Sequence, residues 1–173
     1  MYSRFLLVPV AAMAISQPAP AMDIQTLEAA QQKLAPGAKL IPSDFKLSQE
    51  DFDRLKSVYR VPALRPAVKA WRVEGGGWLF LDQVYGLNDI VTYLVAIDAQ
   101  GAVSGIEILV CAEGFCGPSS AAWRAEFVGK THGKWNPAEA VTNISGTTLS
   151  STHIAEGVKK ILAIHARFLP TNH

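Results

Sequence analysis

The chain has 173 residues, of which 49% are hydrophobic and 18% are charged, and its formal net charge is +1. This composition supplies enough apolar side chains for the core of one ordinary domain and excludes an intrinsically disordered protein. The small net charge offers no electrostatic footprint for nucleic acid, so we expect no nucleic-acid partner.

The first 21 residues have the layout of a secretory signal peptide. Arg4 precedes an apolar run from Phe5 to Ile15, and the small residues that follow end at Ala21. The run is too short to span a bilayer, and no later segment is long and apolar enough to do so. We therefore expect residues 1–21 to be cleaved, and the mature chain to be periplasmic and not an integral membrane protein.

Two helices are predicted in an N-terminal helical segment, residues 22–66. The stretch "DIQTLEAAQQKLAPG" spaces its leucines along one helix face, and Asp23 can cap its start. The stretch "LSQEDFDRLKSVY" has Ser48 as N-cap candidate and Asp51 at the capping-box position. The two prolines of "VPALRP" then forbid a continuing helix.

Four strands are predicted from runs of aromatic and β-branched residues separated by turn signals: "VKAWRVE", "WLFLDQVY", "DIVTYLVAID" and "AVSGIEILVC". The loop from Asp98 to Gly101 is a short hairpin in which Gly101 can take a positive φ. Strands joined this tightly must be antiparallel, because parallel neighbours need long crossovers.

A short helix is predicted up to Gly129, and a final amphipathic helix follows. The apolar face of the final helix contains Ile154, Val158, Ile161, Leu162 and His165. The predicted fold is therefore a single α+β domain, with an antiparallel sheet of about four or more strands flanked by helices. Residues 67–173 form this domain, and residues 22–66 pack with it as one unit.

The segment before the final helix, "NISGTTLSSTHIAEGVKKIL", has five hydroxyl residues among the seven from Ser145 to Ser151. Unpaired N–H groups and the helix dipole favour a phosphate at a helix N-terminus, and Gly146 permits close backbone approach. Serine and threonine are also ordinary helix caps. Spacing alone does not decide between helix capping and phosphate binding.

The stretch "ISGTTLSSTHIAEGVKKIL" resembles the flavin-attachment signature of the FMN-binding domain family. That family includes the peripheral flavoprotein subunits of the Na+-translocating NADH:quinone reductase and of the Rnf complex. Its pattern is an acidic residue, two others, Ser-Gly-Ala-Thr and a further hydroxyl residue. In register, Ser145, Gly146 and Thr147 match Ser-Gly-Ala, and Thr148 is the acceptor.

The resemblance implies FMN joined through its phosphate to Thr148 by a separate flavin transferase that uses FAD. It also implies an exported electron carrier that works with a membrane-bound redox partner. The resemblance favours such an electron-transfer component over a stand-alone enzyme. The similarity extends over most of the mature chain, and Glu113 and Gly117 fall in a loop beside the flavin. The implied cofactor-binding set is Thr148, Ser145, Gly146, Thr147, Leu149, Ser150, Ser151, Glu113 and Gly117.

Two residues depart from the family pattern and keep an alternative open. Thr142 occupies the position of the acidic residue, and Thr147 stands in place of alanine, which makes it a formal competitor for attachment. The alternative function is a non-flavinylated binding or assembly module of the same fold, without redox activity.

The remaining candidate residues are cysteines, histidines and tryptophans. Cys111 and Cys116 lack CxxC spacing and are too few for a closed zinc site, so we predict a structural disulfide, with free thiols or a thiol–disulfide function as alternatives. The histidines show no metal-ligand spacing, and we predict no metal site. His153 faces solvent or a phosphate, and either Trp123 or Trp135 can face the flavin ring.

Overall fold

The computed structural model describes residues 22–23, 25–59, 65–111, 116, 118, 120–136, 142 and 148–169, and the predicted signal peptide lies outside them. Within these residues the chain forms seven strands and four helices. The strands are β1 (Met22–Asp23), β2 (Leu40–Pro42), β3 (Phe45–Lys46), β4 (Ala67–Val73), β5 (Trp78–Tyr85), β6 (Ile90–Ile97) and β7 (Val103–Cys111). The helices are α1 (Leu27–Leu34), α2 (Gln49–Tyr59), α3 (Ala121–Ala125) and α4 (Thr148–Phe168).

The sheet is antiparallel, as predicted, and the fold is α+β. Six strands follow the order β1-β7-β6-β5-β4-β2, and β3 pairs with the start of β4. The four long strands are those predicted from sequence, and they form a meander through hairpins. Gly101 takes the predicted positive φ of 81° in the β6–β7 turn.

The three short strands were not predicted, and Asp23 is not a helix cap. Asp23 lies in β1 and pairs with Val110 of β7. Helix α1 begins four residues later, and the side chain of its N-cap, Thr26, accepts a hydrogen bond from the amide of Ala29 at 3.2 Å. Asp23 therefore contributes to the sheet edge instead of to a helix.

Alternating side chains of the central strands build a core on each face of the sheet. On one face, Phe80 and Val84 pack with α4, whose predicted stripe is fully buried. On the opposite face, Leu79 and Leu94 pack with Ala30 of α1. Helix α4 therefore lies along the sheet as its main cover.

Polar contacts cap α2 and hold α1 to the sheet. The amide of Asp51 donates to the Ser48 side chain at 3.1 Å, which confirms the predicted cap of α2. The buried carboxylate of Glu107 on β7 binds Lys33 of α1 at 2.7 Å and Arg124 of α3 at 3.5 Å. Strand β7 is thus tied to one helix before the meander and one after it.

A buried polar group lies between the sheet and α4. The Tyr93 hydroxyl donates to the Asp82 carboxylate at 2.6 Å, and Lys160 of α4 pairs with the same carboxylate at 2.7 Å. Burial, followed by the charge and hydrogen bond of Asp82, raises the pKa of the Tyr93 phenol. A Cβ at Gly157 would collide with the Tyr93 hydroxyl, so the close approach of helix and strand requires glycine there.

None of the helices in the described part of the chain combines the length and the apolar character needed to cross a bilayer.

Candidate functional site

The first turn of α4 contains the four predicted site residues that the structure describes. Helix α4 begins at Thr148, which is exposed, as is Leu149, whereas Ser150 and Ser151 are buried. The other five, Ser145, Gly146, Thr147, Glu113 and Gly117, lie outside the described residues. The predicted site set as a whole therefore remains a prediction.

Two hydrogen bonds attach this first turn to the hairpin between β5 and β6. The Leu87 amide donates to the Ser150 side chain at 3.2 Å. The Nδ1 atom of His153 lies 2.6 Å from the carbonyl oxygen of Tyr85. Because a carbonyl only accepts, Nδ1 carries the proton in this contact. The position of Thr148 is thereby fixed relative to the end of the sheet.

Ser151 has a buried hydroxyl that is not satisfied. Its side-chain oxygen is inaccessible to solvent and has no hydrogen-bond partner among the residues that the structure describes. Buried polar atoms of this kind are rare in folded proteins and call for an explanation. A hydroxyl can donate to an anion or accept from a neighbour, so Ser151 has unused hydrogen-bonding capacity three residues after Thr148.

The electrostatics of α4 favour an anion at its start. The first turn has no acidic residue, and the last turn has His165 and Arg167. The helix dipole adds partial positive charge at the first turn. The unsatisfied Ser151 hydroxyl, the N-terminus of α4 and the exposed residue Thr148 together fit a phosphate held at Thr148.

The position that departs from the family pattern, Thr142, is fixed through its backbone. The Trp123 indole donates to the Thr142 carbonyl at 3.0 Å, and the Thr142 amide donates to the Glu126 carboxylate at 2.7 Å. A carboxylate from a neighbouring segment therefore binds the backbone of Thr142, the residue at which the pattern has an acidic side chain. Glu126 was not identified from sequence, because its nearness to Thr142 depends on how the chain folds after α3.

Cys111 and Cys116 form a disulfide, as predicted. Cys111 is fully buried at the end of β7, and its Cα lies 6.2 Å from that of Cys116. The register shift between Thr92 and Tyr93 places Cys111 in the core on the α4 side. The bridge therefore anchors the start of the loop that contains Glu113 to the core beneath α4.

The two tryptophans considered for ring stacking belong to the core. Trp123 and Trp135 are 3% and 8% exposed, and each packs edge-to-face on Phe127, at ring-centroid distances of 4.8 and 5.7 Å. The Trp135 indole nitrogen has no partner in the described portion of the chain. Packing within the core is the contact that the structure assigns to both rings.

Tyr85 and Leu87 were not identified as site residues from sequence. The stretch Gly86-Leu87-Asn88 predicts a turn, and the turn is closed by the Gly86 amide, which donates to the Asp89 carbonyl at 2.6 Å. Nothing in the local sequence indicates that this turn contacts a helix more than 60 residues later. Tyr85 and Leu87 are large hydrophobic residues that are nonetheless 48% and 58% exposed.

Comparison with known proteins bears on this arrangement directly. The model of the FMN-binding domain family matches residues 86–163. A search of curated proteins found no match to the chain. The matched segment begins at the β5–β6 turn and includes most of α4, so it contains Leu87, Thr148, Ser150 and Ser151. Residues 86–163 of this chain belong to the FMN-binding domain family.

Proposed function

We propose that this chain is an exported, periplasmic flavoprotein that carries FMN on Thr148 and acts as an electron carrier for a membrane-bound redox partner. The observation that carries the proposal is the position of Thr148. It is the exposed first residue of α4, inside the segment that matches the FMN-binding domain family, and it lies three residues before the unsatisfied Ser151 hydroxyl.

Attachment requires a separate flavin transferase and FAD. The Thr148 hydroxyl oxygen bonds to the phosphorus of the FMN half, the pyrophosphate bond breaks, AMP leaves and the hydroxyl proton is released to a base. Thr148 would then carry a phosphoester, and the N-terminus of α4 and the Ser151 hydroxyl would hold its charge. Bound FMN supplies one- and two-electron redox chemistry.

The contribution of the chain itself is to position the attachment residue. Ser150 and His153 hold the first turn of α4 against the β5–β6 turn, so the orientation of Thr148 follows that of the sheet. The disulfide joins Cys116 to Cys111 at the end of β7. Covalent attachment also retains the cofactor outside the cytoplasm, where a lost flavin would not be replaced.

The proposal is tested by the intact mass of the protein after coexpression with a flavin transferase. We expect a chain that begins at Met22 and carries one FMN less one water. Thr148→Ala should lose this addition, and Thr147→Ala, the matched control, should keep it. Loss in Thr147→Ala alone would move the attachment site to Thr147.

A colourless protein of unmodified mass, both from the native host and after coexpression, would contradict the electron-carrier function. The alternative, a binding or assembly module without flavin, would then be favoured. A function through the cysteines alone predicts instead that Cys→Ser changes abolish activity while flavin loading persists.

A further inference from the structure

The sheet splits beside the middle of α4, where Lys160 meets Asp82. The pairing of β4 with β5 ends at Lys69 and Leu81, although β5 continues to Tyr85 beside β6. Before Lys69, β4 pairs with the short strand β3 instead. Strands β4 and β5 therefore diverge, and side chains from both faces of the sheet border the gap.

A cleft of about 550 Å³ occupies this gap, and we call it the β4–β5 cleft. Its lining residues are Asp44, Phe45, Lys46, Arg65, Ala67, Val68, Lys69, Leu81, Asp82 and Gln83. A narrow cavity of about 30 Å³ lies next to it, shares Arg65 and Asp82, and extends to Lys160. A cavity of this size has room for one water-sized group.

Lys160 is a buried cation with unused hydrogen-bonding capacity. Its side chain is 8% exposed, and within the described residues its hydrogen bonds go to the two oxygens of Asp82. An ammonium group has three N–H donors, so one donor remains beyond this pair. The Asp82 carboxylate is meanwhile occupied by Lys160 and by the Tyr93 hydroxyl. A further hydrogen-bond acceptor could bind the third donor of Lys160 without displacing either of its bonds to Asp82.

The charge around the cleft is positive. The cleft and its cavity include four cations, Lys46, Arg65, Lys69 and Lys160, against two carboxylates, Asp44 and Asp82. Both carboxylates are engaged, since Asp44 accepts a hydrogen bond from the Ala70 amide at 3.0 Å. The walls also include Phe45, Val68 and Leu81, which are apolar. A ligand with an apolar body and one anionic end satisfies both parts of this lining.

We propose that the β4–β5 cleft binds a small organic carboxylate, with its apolar body against Phe45, Val68 and Leu81 and its carboxylate among Lys46, Arg65 and Lys160. This site is separate from the attachment site. Lys160 is twelve residues after Thr148 in α4, which at helical rise is about 18 Å.

The test is titration of the mature chain with 3-phenylpropionate and with its neutral amide, followed by NMR chemical shifts of the β4 and β5 amides. We expect saturable shifts with the carboxylate and at least about tenfold weaker binding of the amide, because a hydrogen bond to a charged group is lost. Lys46→Gln and Arg65→Gln should each weaken carboxylate binding, and Lys134→Gln, outside the cleft, should not.

Three results would overturn the proposal: no saturable shift with 3-phenylpropionate at millimolar concentration, equal binding of acid and amide, or binding that Lys46→Gln and Arg65→Gln leave unchanged. Each of these outcomes leaves the flavin proposal untouched, because that proposal is decided by the mass of the chain. The Gln variants change only exposed side chains at the cleft rim, so folding is expected to be preserved.

Discussion

The side-chain oxygen of Ser150 lies 3.2 Å from the amide nitrogen of Leu87, and this bond connects the first turn of α4 to the turn between β5 and β6. The two residues are 63 positions apart. Ser150 is fully buried, although it follows two exposed helix residues, Thr148 and Leu149. A serine that a sequence pattern assigns to capping or to phosphate binding thus acts as the connection between helix and sheet.

Ser150→Ala should destabilise the protein. The change removes the acceptor of the Leu87 amide and leaves that donor partly unsatisfied, at a cost of about 1–2 kcal/mol in the free energy of unfolding. Urea denaturation measures the effect. The control is Thr152→Ala, an exposed position in the same turn, which should change the free energy of unfolding by less than about 0.5 kcal/mol. Equal losses in the two variants would contradict the role of the Leu87 bond.

Ser151→Ala should have opposite effects in the two forms of the protein. Without flavin, it removes an unsatisfied buried hydroxyl, so stability should stay the same or rise by up to about 1 kcal/mol. With FMN on Thr148, it removes a donor to the phosphate, so the variant should melt at a lower temperature than the parent. The measurement is the melting temperature of Ser151→Ala and of the parent, each with and without FMN, with flavin loading verified by intact mass. An equal effect in both forms would mean that Ser151 does not contact the phosphate.

Gly157→Ala should destabilise α4 although alanine favours helices. The added methyl group would overlap the Tyr93 hydroxyl, and overpacking of this kind costs about 1–3 kcal/mol, more than the roughly 1 kcal/mol gained in helix propensity. Chemical denaturation gives the free energy of unfolding of the single variant and of the double variant Gly157→Ala/Tyr93→Phe. The difference between the two variants shows how much of the loss comes from the steric overlap. The double variant should regain part of the loss, because Tyr93→Phe removes the overlapping oxygen. A single variant more stable than the parent would refute the steric argument.

His165 should make the protein less stable in mild acid. It is 4% exposed, and its Nε2 has no hydrogen-bond partner among the described residues. Burial lowers the pKa of its imidazole, and the charge of Asp98 opposes this shift. Because the folded pKa lies below the unfolded value of about 6.5, the unfolded chain takes up the proton first. The stabilising contribution is therefore complete above about pH 6.5 and is lost as the pH falls through the folded pKa.

The measurement is the free energy of unfolding between pH 7.5 and pH 5 for the parent chain and for His165→Gln. The free energy of unfolding of His165→Gln should depend less on pH than that of the parent, whatever the absolute stability of the variant. His132→Gln, which changes an exposed histidine, is the control and should keep the dependence of the parent. An unchanged slope in His165→Gln would show that another group titrates.

The local sequence pattern was sufficient to predict most of the secondary structure. The four long strands, the helices and the buried stripe of α4 follow from hydrophobic period, from turn residues such as Gly101 and from caps such as Ser48. Each of these signals depends on a few neighbouring residues, so it can be recognised from the sequence alone. The attachment motif around Thr148 is local in the same sense, and it could be read without a structure.

The features that the sequence did not predict correctly have a common cause. Asp23 was expected to cap a helix, yet it pairs with Val110, and two- and three-residue strands such as β1 and β2 have no period of their own to detect. Their pairing depends on which strand edge is left free once the meander has formed. In the same way, the contact of Glu126 with Thr142 depends on the path of the chain after α3.

The sequence by itself determined the fold class, the amphipathic α4 and the hydroxyl residues at its start, because period, turn chemistry and motif spacing are properties of neighbouring residues. Only the tertiary structure decided that Ser150 binds Leu87, that Ser151 is left unsatisfied and that Lys160 meets Asp82 beside a cleft. These relationships join residues far apart in the chain. Burial fixes them, since a polar group removed from water must find its partner in whatever the fold brings next to it.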